Sequence, residues 1–155
     1  MEDYLSESYL NLLFESSTPL LKQVIGIDQL IKSKLPKDKM IIGGSGTLAL
    51  YGLRKNHDLD VSVTSDVFKK LAKKYPVTKS MLGNEKIELT EIVEIFNNNV
   101  GIIKDTVKEL IERSITINGF HFMSFEDLLR WKKKFGREKD LKDVKLIEEF
   151  LRRSK

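Results

Sequence analysis

Hydrophobic and polar positions change rhythm several times along the chain, and each rhythm predicts an element. Met40-Ile41-Ile42 is a short apolar run ending on Gly43, the mark of a buried strand meeting a turn. From Thr47 to Leu53, Leu48, Ala49, Leu50 and Leu53 fall at helical spacing, and Gly52 with Arg54-Lys55-Asn56 closes that helix. Asp58 to Val63 then alternates: Leu59, Val61 and Val63 face one way, Asp58, Asp60 and Ser62 the other. Upstream, Glu2 to Phe14 is weakly helical. Thr18-Pro19 starts a second helix, through Leu20, Val24, Ile27 and Leu30 to about Ser33, which Pro36 and Lys37-Asp38-Lys39 break.

Downstream, Ser65 to Lys74 reads as a capped helix ended by Tyr75-Pro76. Lys79 to Leu82 and Lys86 to Ile95, separated by Gly83-Asn84, read as an antiparallel hairpin. Asn97-Asn98-Asn99 forms a loop before a helix from Ile103 to Glu112. The strongest hairpin signal is Ile115-Thr116-Ile117 and Phe120-His121-Phe122 around Asn118-Gly119. Ser124 and Asp127 have capping-box spacing ahead of a helix to Phe135, which Gly136 stops. Lys139 to Arg152 is amphipathic, with Leu141, Val144, Ile147 and Leu151 on one face. The pattern predicts an α/β (α+β) fold: a small mixed or antiparallel sheet, helices packed on it, and a C-terminal helix pair. At 155 residues and 41% hydrophobic, the chain is expected to be one domain. Within it, residues 1–35 form a helical segment, 40–123 the sheet-containing core and 124–155 the helix pair.

Composition narrows the partners. No apolar run approaches the roughly 20 residues of a membrane span, and Met1-Glu2-Asp3-Tyr4 is acidic where a secretory signal is basic, so a soluble, cytoplasmic protein is expected, with no membrane partner. Without cysteine, and with only 2 histidines, any metal must be held largely by oxygen. Residues 130–155 carry 11 Lys or Arg against 5 Asp or Glu, so the basic character of the chain is concentrated at its end. That end can attract nucleic acid or a triphosphate, although a solvated helical face accounts for most of these lysines.

Two motifs carry chemistry. Gly43-Gly44-Ser45 follows a strand and precedes a helix, where glycines let the backbone approach a phosphate and Ser45 adds a hydroxyl. It is neither a P-loop nor a dinucleotide fingerprint, and alone it is equally well explained as a tight turn. Asp58 and Asp60 project from one strand face about 7 Å apart along the backbone, close enough to share divalent metal. Aspartate is disfavoured within strands, and placing two like charges beside apolar neighbours calls for a cation. A two-metal site needs a further carboxylate. Glu88, between Ile87 and Leu89, is the best candidate, with Glu91 and Glu94 competing; Glu94 shares its parity but lies further along the expected strand. The catalytic reading therefore leans on Glu88 pointing toward Asp58 and Asp60. His57 and Trp131 read as a turn histidine and a core or partner-facing aromatic.

The series Gly43-Gly44-Ser45, Asp58-Leu59-Asp60 and Ile87-Glu88-Leu89 resembles the DNA polymerase beta-like nucleotidyltransferase superfamily. Arg54-Lys55-Asn56-His57-Asp58 is similar to the approach seen in its small bacterial and archaeal members, with Asn56 where threonine is usual. Phe125 to Lys132 and Gly136 to Asp143 resemble the helical tail of the abortive-infection and toxin-type members, including toxin–antitoxin systems. The resemblance covers most of residues 40–150. It implies that Gly43, Gly44 and Ser45 bind the triphosphate, that Asp58, Asp60 and Glu88 hold two Mg²⁺ (or Mn²⁺), and that Lys132 and Lys139 contact phosphate. The implied reaction moves a nucleoside monophosphate from an NTP to a hydroxyl acceptor (RNA, protein or small molecule) and releases pyrophosphate. A partner chain or second copy is compatible with the small size. The alternative is a catalytically silent nucleotide- or RNA-binding module of the same fold.

Overall fold

The computed structural model describes residues 19–98 and 103–154. The helices expected over Glu2–Phe14 and at the Thr18 cap, and the Asn99 end of the expected loop, lie outside those residues. The fold is α+β: seven strands form one mixed sheet, with six α-helices among the described residues. The strands are β1 (Met40–Ile42), β2 (Leu59–Val63), β3 (Thr78–Lys79), β4 (Glu85–Glu88), β5 (Val93–Asn97), β6 (Ile115–Ile117) and β7 (Phe120–Phe122). The helices are α1 (Ile27–Ser33), α2 (Gly46–Leu50), α3 (Ser65–Ala72), α4 (Val107–Glu112), α5 (Phe125–Phe135) and α6 (Glu138–Arg153). Strand order is β3-β4-β5-β2-β1-β7-β6, with β2–β5 and β1–β7 parallel and the other pairs antiparallel.

Two hydrophobic layers sandwich the middle of the sheet. Leu59, Val61 and Val63 of β2, Val93 and Ile95 of β5 and Ile87 of β4 join Leu30 of α1 and Phe68 of α3 on one face. Ile41 of β1 faces the other way, packing with Leu110 of α4, Leu128 of α5 and Ile147 and Phe150 of α6. Strand β1 is buried on both sides, which is why it reads as an unbroken apolar run rather than an alternation. Tyr51, Phe125 and Phe150 meet in a tilted aromatic cluster, with ring centroids 5.1 to 5.4 Å apart, that fastens the second layer.

The structure departs from the sequence reading most in three places; besides these, the strand expected over Lys79–Leu82 is only Thr78–Lys79, followed by a turn, and the helix expected from Ile103 starts at Val107 behind a Thr106 cap. The helix expected from Leu20 to Ser33 is interrupted: a 3₁₀ turn at Leu21–Gln23 gives way to extended chain, and α1 begins after Gly26 at φ 94°. A Cβ at Gly26 would meet Ile92 at 2.9 Å, so only glycine fits. The buried amide of Asn56 bonds both the N–H and the C=O of Ile25, groups that a continuous helix would have used itself. Second, the strand expected over Lys86–Ile95 is two strands. Thr90 Oγ1 accepts hydrogen bonds from the N–H of Ile92 and of Val93, and the chain doubles back into β5. Third, α6 turns its face by about one residue: Leu141 is exposed, while Asp140, Asp143, Val144, Ile147 and Phe150 are buried. The two aspartates are tolerated inside because three basic side chains pair with them.

Elsewhere the local chemistry works as its residue types dictate. Asn118 (φ 51°) and Gly119 (φ 82°) make the left-handed turn of the β6–β7 hairpin. Ser124 caps α5 by accepting from the N–H of Asp127, and Gly136 ends it at φ 68°. No helix among the described residues is long and apolar enough to cross a membrane.

Candidate functional site

Where β1 ends, the Gly43 N–H donates to the carbonyl of Asp60 at 2.9 Å, carrying the β1–β2 ladder one residue into the turn. Gly44 follows at φ 57°. A Cβ there would stand 3.0 Å from Asp60 Oδ2, so glycine is what lets this backbone lie against the carboxylate. Ser45 precedes α2 without its hydroxyl capping the helix. Helix α2 is buried along its whole length, and Thr47 donates to the carbonyl of Met123 at 2.8 Å, fixing the turn relative to β7. Between α2 and β2, Asn56 also donates to the carbonyl of Asp58, holding the approach to the acid pair.

The acids form a row across one sheet face. Register places Asp60 beside Glu94 on the parallel strand β5, and Glu94 beside Glu88 on the antiparallel strand β4. Glu88 is thus one strand further from Asp60 than Glu94, and it is exposed on β4 outside the cleft that Asp58, Asp60 and Glu94 line. The expectation that Glu88 points toward Asp58 and Asp60 is corrected accordingly: the acid beside Asp60 is Glu94. The cause is the fold-back at Thr90, which inserts β5 between β4 and β2. Parity identified both residues, but only the turn distinguishes them.

Burial, then the charges of Glu94 and Asp58 and a hydrogen bond with Glu94, pushes the Asp60 carboxyl up to about 6, with Lys132 pulling the other way. A divalent cation is one way to reconcile carboxylates crowded together in this fashion. The donors suit Mg²⁺ or Mn²⁺, being oxygen throughout. Among the described residues no three His, Asp or Glu side chains are already drawn together as a metal cage. Lys86, 3.2 Å from Glu94 Oε2, offsets part of the negative charge.

The facing wall comes from α5 and α6. Lys132 is buried, its Nζ 2.9 Å from Asp143 Oδ2 and 3.9 Å from Asp140 Oδ1. Arg54, from the loop after α2, grips both oxygens of Asp143 at 2.6 and 2.7 Å. Arg137 bonds Asp140 through its backbone N–H and its guanidinium at the start of α6. Lys132 is therefore unlike the lysines beside it, since it is committed to two aspartates within the wall. Lys139 is exposed at the cleft mouth. Arg54, Asp140 and Asp143 were visible in the sequence as members of charged strings, but their contacts span α2, α5 and α6, and nothing local marks them.

Asp58 and Asp60 stand between two compartments. The larger, about 280 Å³, extends over Phe96 and Glu94 toward the β3–β4 hairpin and the aromatic side of α5. The smaller, about 160 Å³, lies over Gly44 and Ser45 and is rimmed by Arg54, His57, Lys132, Arg137 and Lys139. The structure thus brings Gly44, Asp58, Asp60, Lys132 and Lys139 around one cleft, with Gly43 on the larger side and Ser45 on the smaller.

The site defines an α+β chain with an acid row under a glycine turn. No protein-family model matches the chain, and no curated protein matches it. Among solved structures it is similar to the crystal structure of the Megavirus polyadenylate synthase, with a TM-score of 0.47 and 12% identity over 97% of this chain. The chain spans 39% of that protein's length.

Proposed function

We propose that the chain is a metal-dependent nucleotidyltransferase, transferring a nucleoside monophosphate from an NTP to a hydroxyl acceptor. One observation carries the reading: Asp60, crowded by Asp58 and Glu94, lies directly against the Gly44 backbone in a cleft whose other wall carries Arg54, Lys132, Arg137 and Lys139, partly neutralised by Asp140 and Asp143. Asp58, Asp60 and Glu94 would hold Mg²⁺. A cation bound there supplies charge neutralisation at the phosphates and acidifies the acceptor hydroxyl. The Gly43-Gly44-Ser45 turn and Lys139 hold the triphosphate. Lys132, fixed by Asp143 rather than free to reach a phosphate, would keep positive charge near Asp60. As an alternative to holding the cation, Glu94, next to Asp60, would take the acceptor proton as the acceptor oxygen bonds to the α-phosphorus and the bond to pyrophosphate breaks.

The test is transfer from labelled NTP, in the presence of Mg²⁺, to components of a cell extract. Asp58→Asn with Asp60→Asn should abolish transfer. Glu94→Gln should lower it by about a hundredfold or more, in the range seen for general acid–base groups, while Glu88→Gln leaves it near wild type. Equal loss in the two glutamate variants, or none in the double aspartate variant, overturns the assignment. NTP or RNA binding with no pyrophosphate released would identify a binding module instead.

A further inference from the structure

We infer that the larger compartment is a slot for a planar nucleobase and that the tip of the β3–β4 hairpin forms one of its walls; this rests on the nucleotide reading of the acid row. The tip, Ser80 to Asn84, is held by its own hydrogen bonds: Ser80 Oγ accepts from the N–H groups of Leu82 and Asn84, and Ser80 O accepts from Gly83. It therefore presents Met81 and Leu82 without packing them, and they are 80% and 42% exposed. Large apolar side chains on a self-supporting tip are not explained by the core. Both line the compartment.

The remaining lining mixes aromatic side chains with Lys86, Glu94, Arg137 and Lys139, and the Arg137 guanidinium lies 3.8 Å over the Phe135 ring centroid. Phe96 rises from β5 on the same sheet face as Glu94, and Trp131 meets Phe135 edge to face, with centroids 5.0 Å apart, on α5. A thioether, a leucine and three aromatic rings around one opening suit a flat π-system, because Met and aromatic side chains both pack favourably on ring faces. Asn84, at the same opening, has an amide that both donates and accepts, which matches the edge of a base better than an aliphatic ligand. Position completes the case. Across Asp58 and Asp60 lies the second compartment, and Gly44, Arg137 and Lys139 border both, so a slot with aromatic walls adjoins a site suited to a polyanion at one acid pair. That is the layout of a nucleotide's own chemistry.

The base belongs either to the donor NTP or to the end of a nucleic-acid acceptor, and the experiment separates them. Trp131 is the only tryptophan in the chain and lines both compartments, so its fluorescence reports binding in the cleft, with tripolyphosphate as the control for the phosphate side. The full chain with Mg²⁺ is titrated with a non-hydrolysable NTP, a short single-stranded oligonucleotide and inorganic tripolyphosphate, as wild type and as Met81→Ala with Leu82→Ala. The substituted residues are exposed, so the fold is retained.

The slot predicts quenching by a base-bearing ligand and a Kd for that ligand raised on the order of tenfold in the variant, as expected for loss of stacking partners. Tripolyphosphate should bind equally to both forms. A rise confined to the NTP assigns the donor base; a rise confined to the oligonucleotide assigns the acceptor base. Unchanged affinity for both, or no quenching by either, overturns the slot. The outcome is independent of transfer: a protein that shows the effect but releases no pyrophosphate keeps the slot and loses the catalytic reading, and active transfer with no effect does the reverse.

Discussion

Asp143 carries two basic partners on one carboxylate. Burial alone would push it up, but hydrogen bonds from Arg54 and Lys132 outweigh that and hold it below the ordinary carboxylate range. A carboxyl whose folded pKa is depressed contributes its full stability above the unfolded value near 4, and loses it as pH falls through the folded value. Asp143→Asn leaves the buried Lys132 poorly compensated and is expected to cost about 3 kcal/mol at pH 7. Urea denaturation of both forms should show this gap at neutral pH and a narrowing gap below about pH 4. A gap that stays constant down to pH 3 would mean that the pairing with Arg54 and Lys132 is not its source. Asp60 is the opposite case. Its raised pKa marks a charge held at a cost, and that cost falls on the group closest to the glycine turn.

At the scale of elements, the turn between β4 and β5 decides which glutamate enters the site. Thr90→Ala removes the acceptor for the N–H groups of Ile92 and Val93 and is expected to destabilise the protein by about 1 kcal/mol. Amide hydrogen exchange at Val93 should accelerate, and Mn²⁺ affinity should fall with it. Unchanged affinity would show that the turn does not place Glu94. This turn is also where sequence reading ran out. The β6–β7 hairpin was legible because Asn118-Gly119 names its own turn, and β2 because Leu59, Val61 and Val63 alternate with the acids. Leu89-Thr90-Glu91-Ile92 contains no glycine, proline or asparagine, and its apolar ends continue the strand rhythm, so nothing in the pattern separates a bend from a strand. Gly43, Gly44, Asp58 and Asp60 could be paired from the sequence because a single short helix separates them. Glu94 could only be weighed, since its place depends on a pairing across the sheet. The burial of Asp140 and Asp143 in α6 escaped for the same reason: amphipathic periodicity counts aspartate as solvent-facing, and only their distant partners Arg54, Lys132 and Arg137 reverse that.

For the whole molecule, the cleft lies between the sheet and the α5–α6 pair, which are joined through the second hydrophobic layer and through Arg54 to Asp143. A ligand that bridges them should stabilise the assembly by mass action. With Mg²⁺ and a non-hydrolysable NTP at about a hundredfold over Kd, thermal unfolding should shift upward by the equivalent of about 2.7 kcal/mol, and EDTA should remove most of the shift. A midpoint indifferent to both additions would rule out a nucleotide-cation complex at the acid row. The placement of β5 also sets a timetable. Strands β2 and β5 are parallel and connected through α3 and the β3–β4 hairpin, a long-range pairing of the kind that forms slowly. Asp58 and Asp60 therefore meet Glu94 only as the sheet closes, so the early collapse of the chain proceeds without the repulsion that the finished site must bear. A cation that binds the completed row would be expected to retard the opening of finished molecules rather than to guide their assembly.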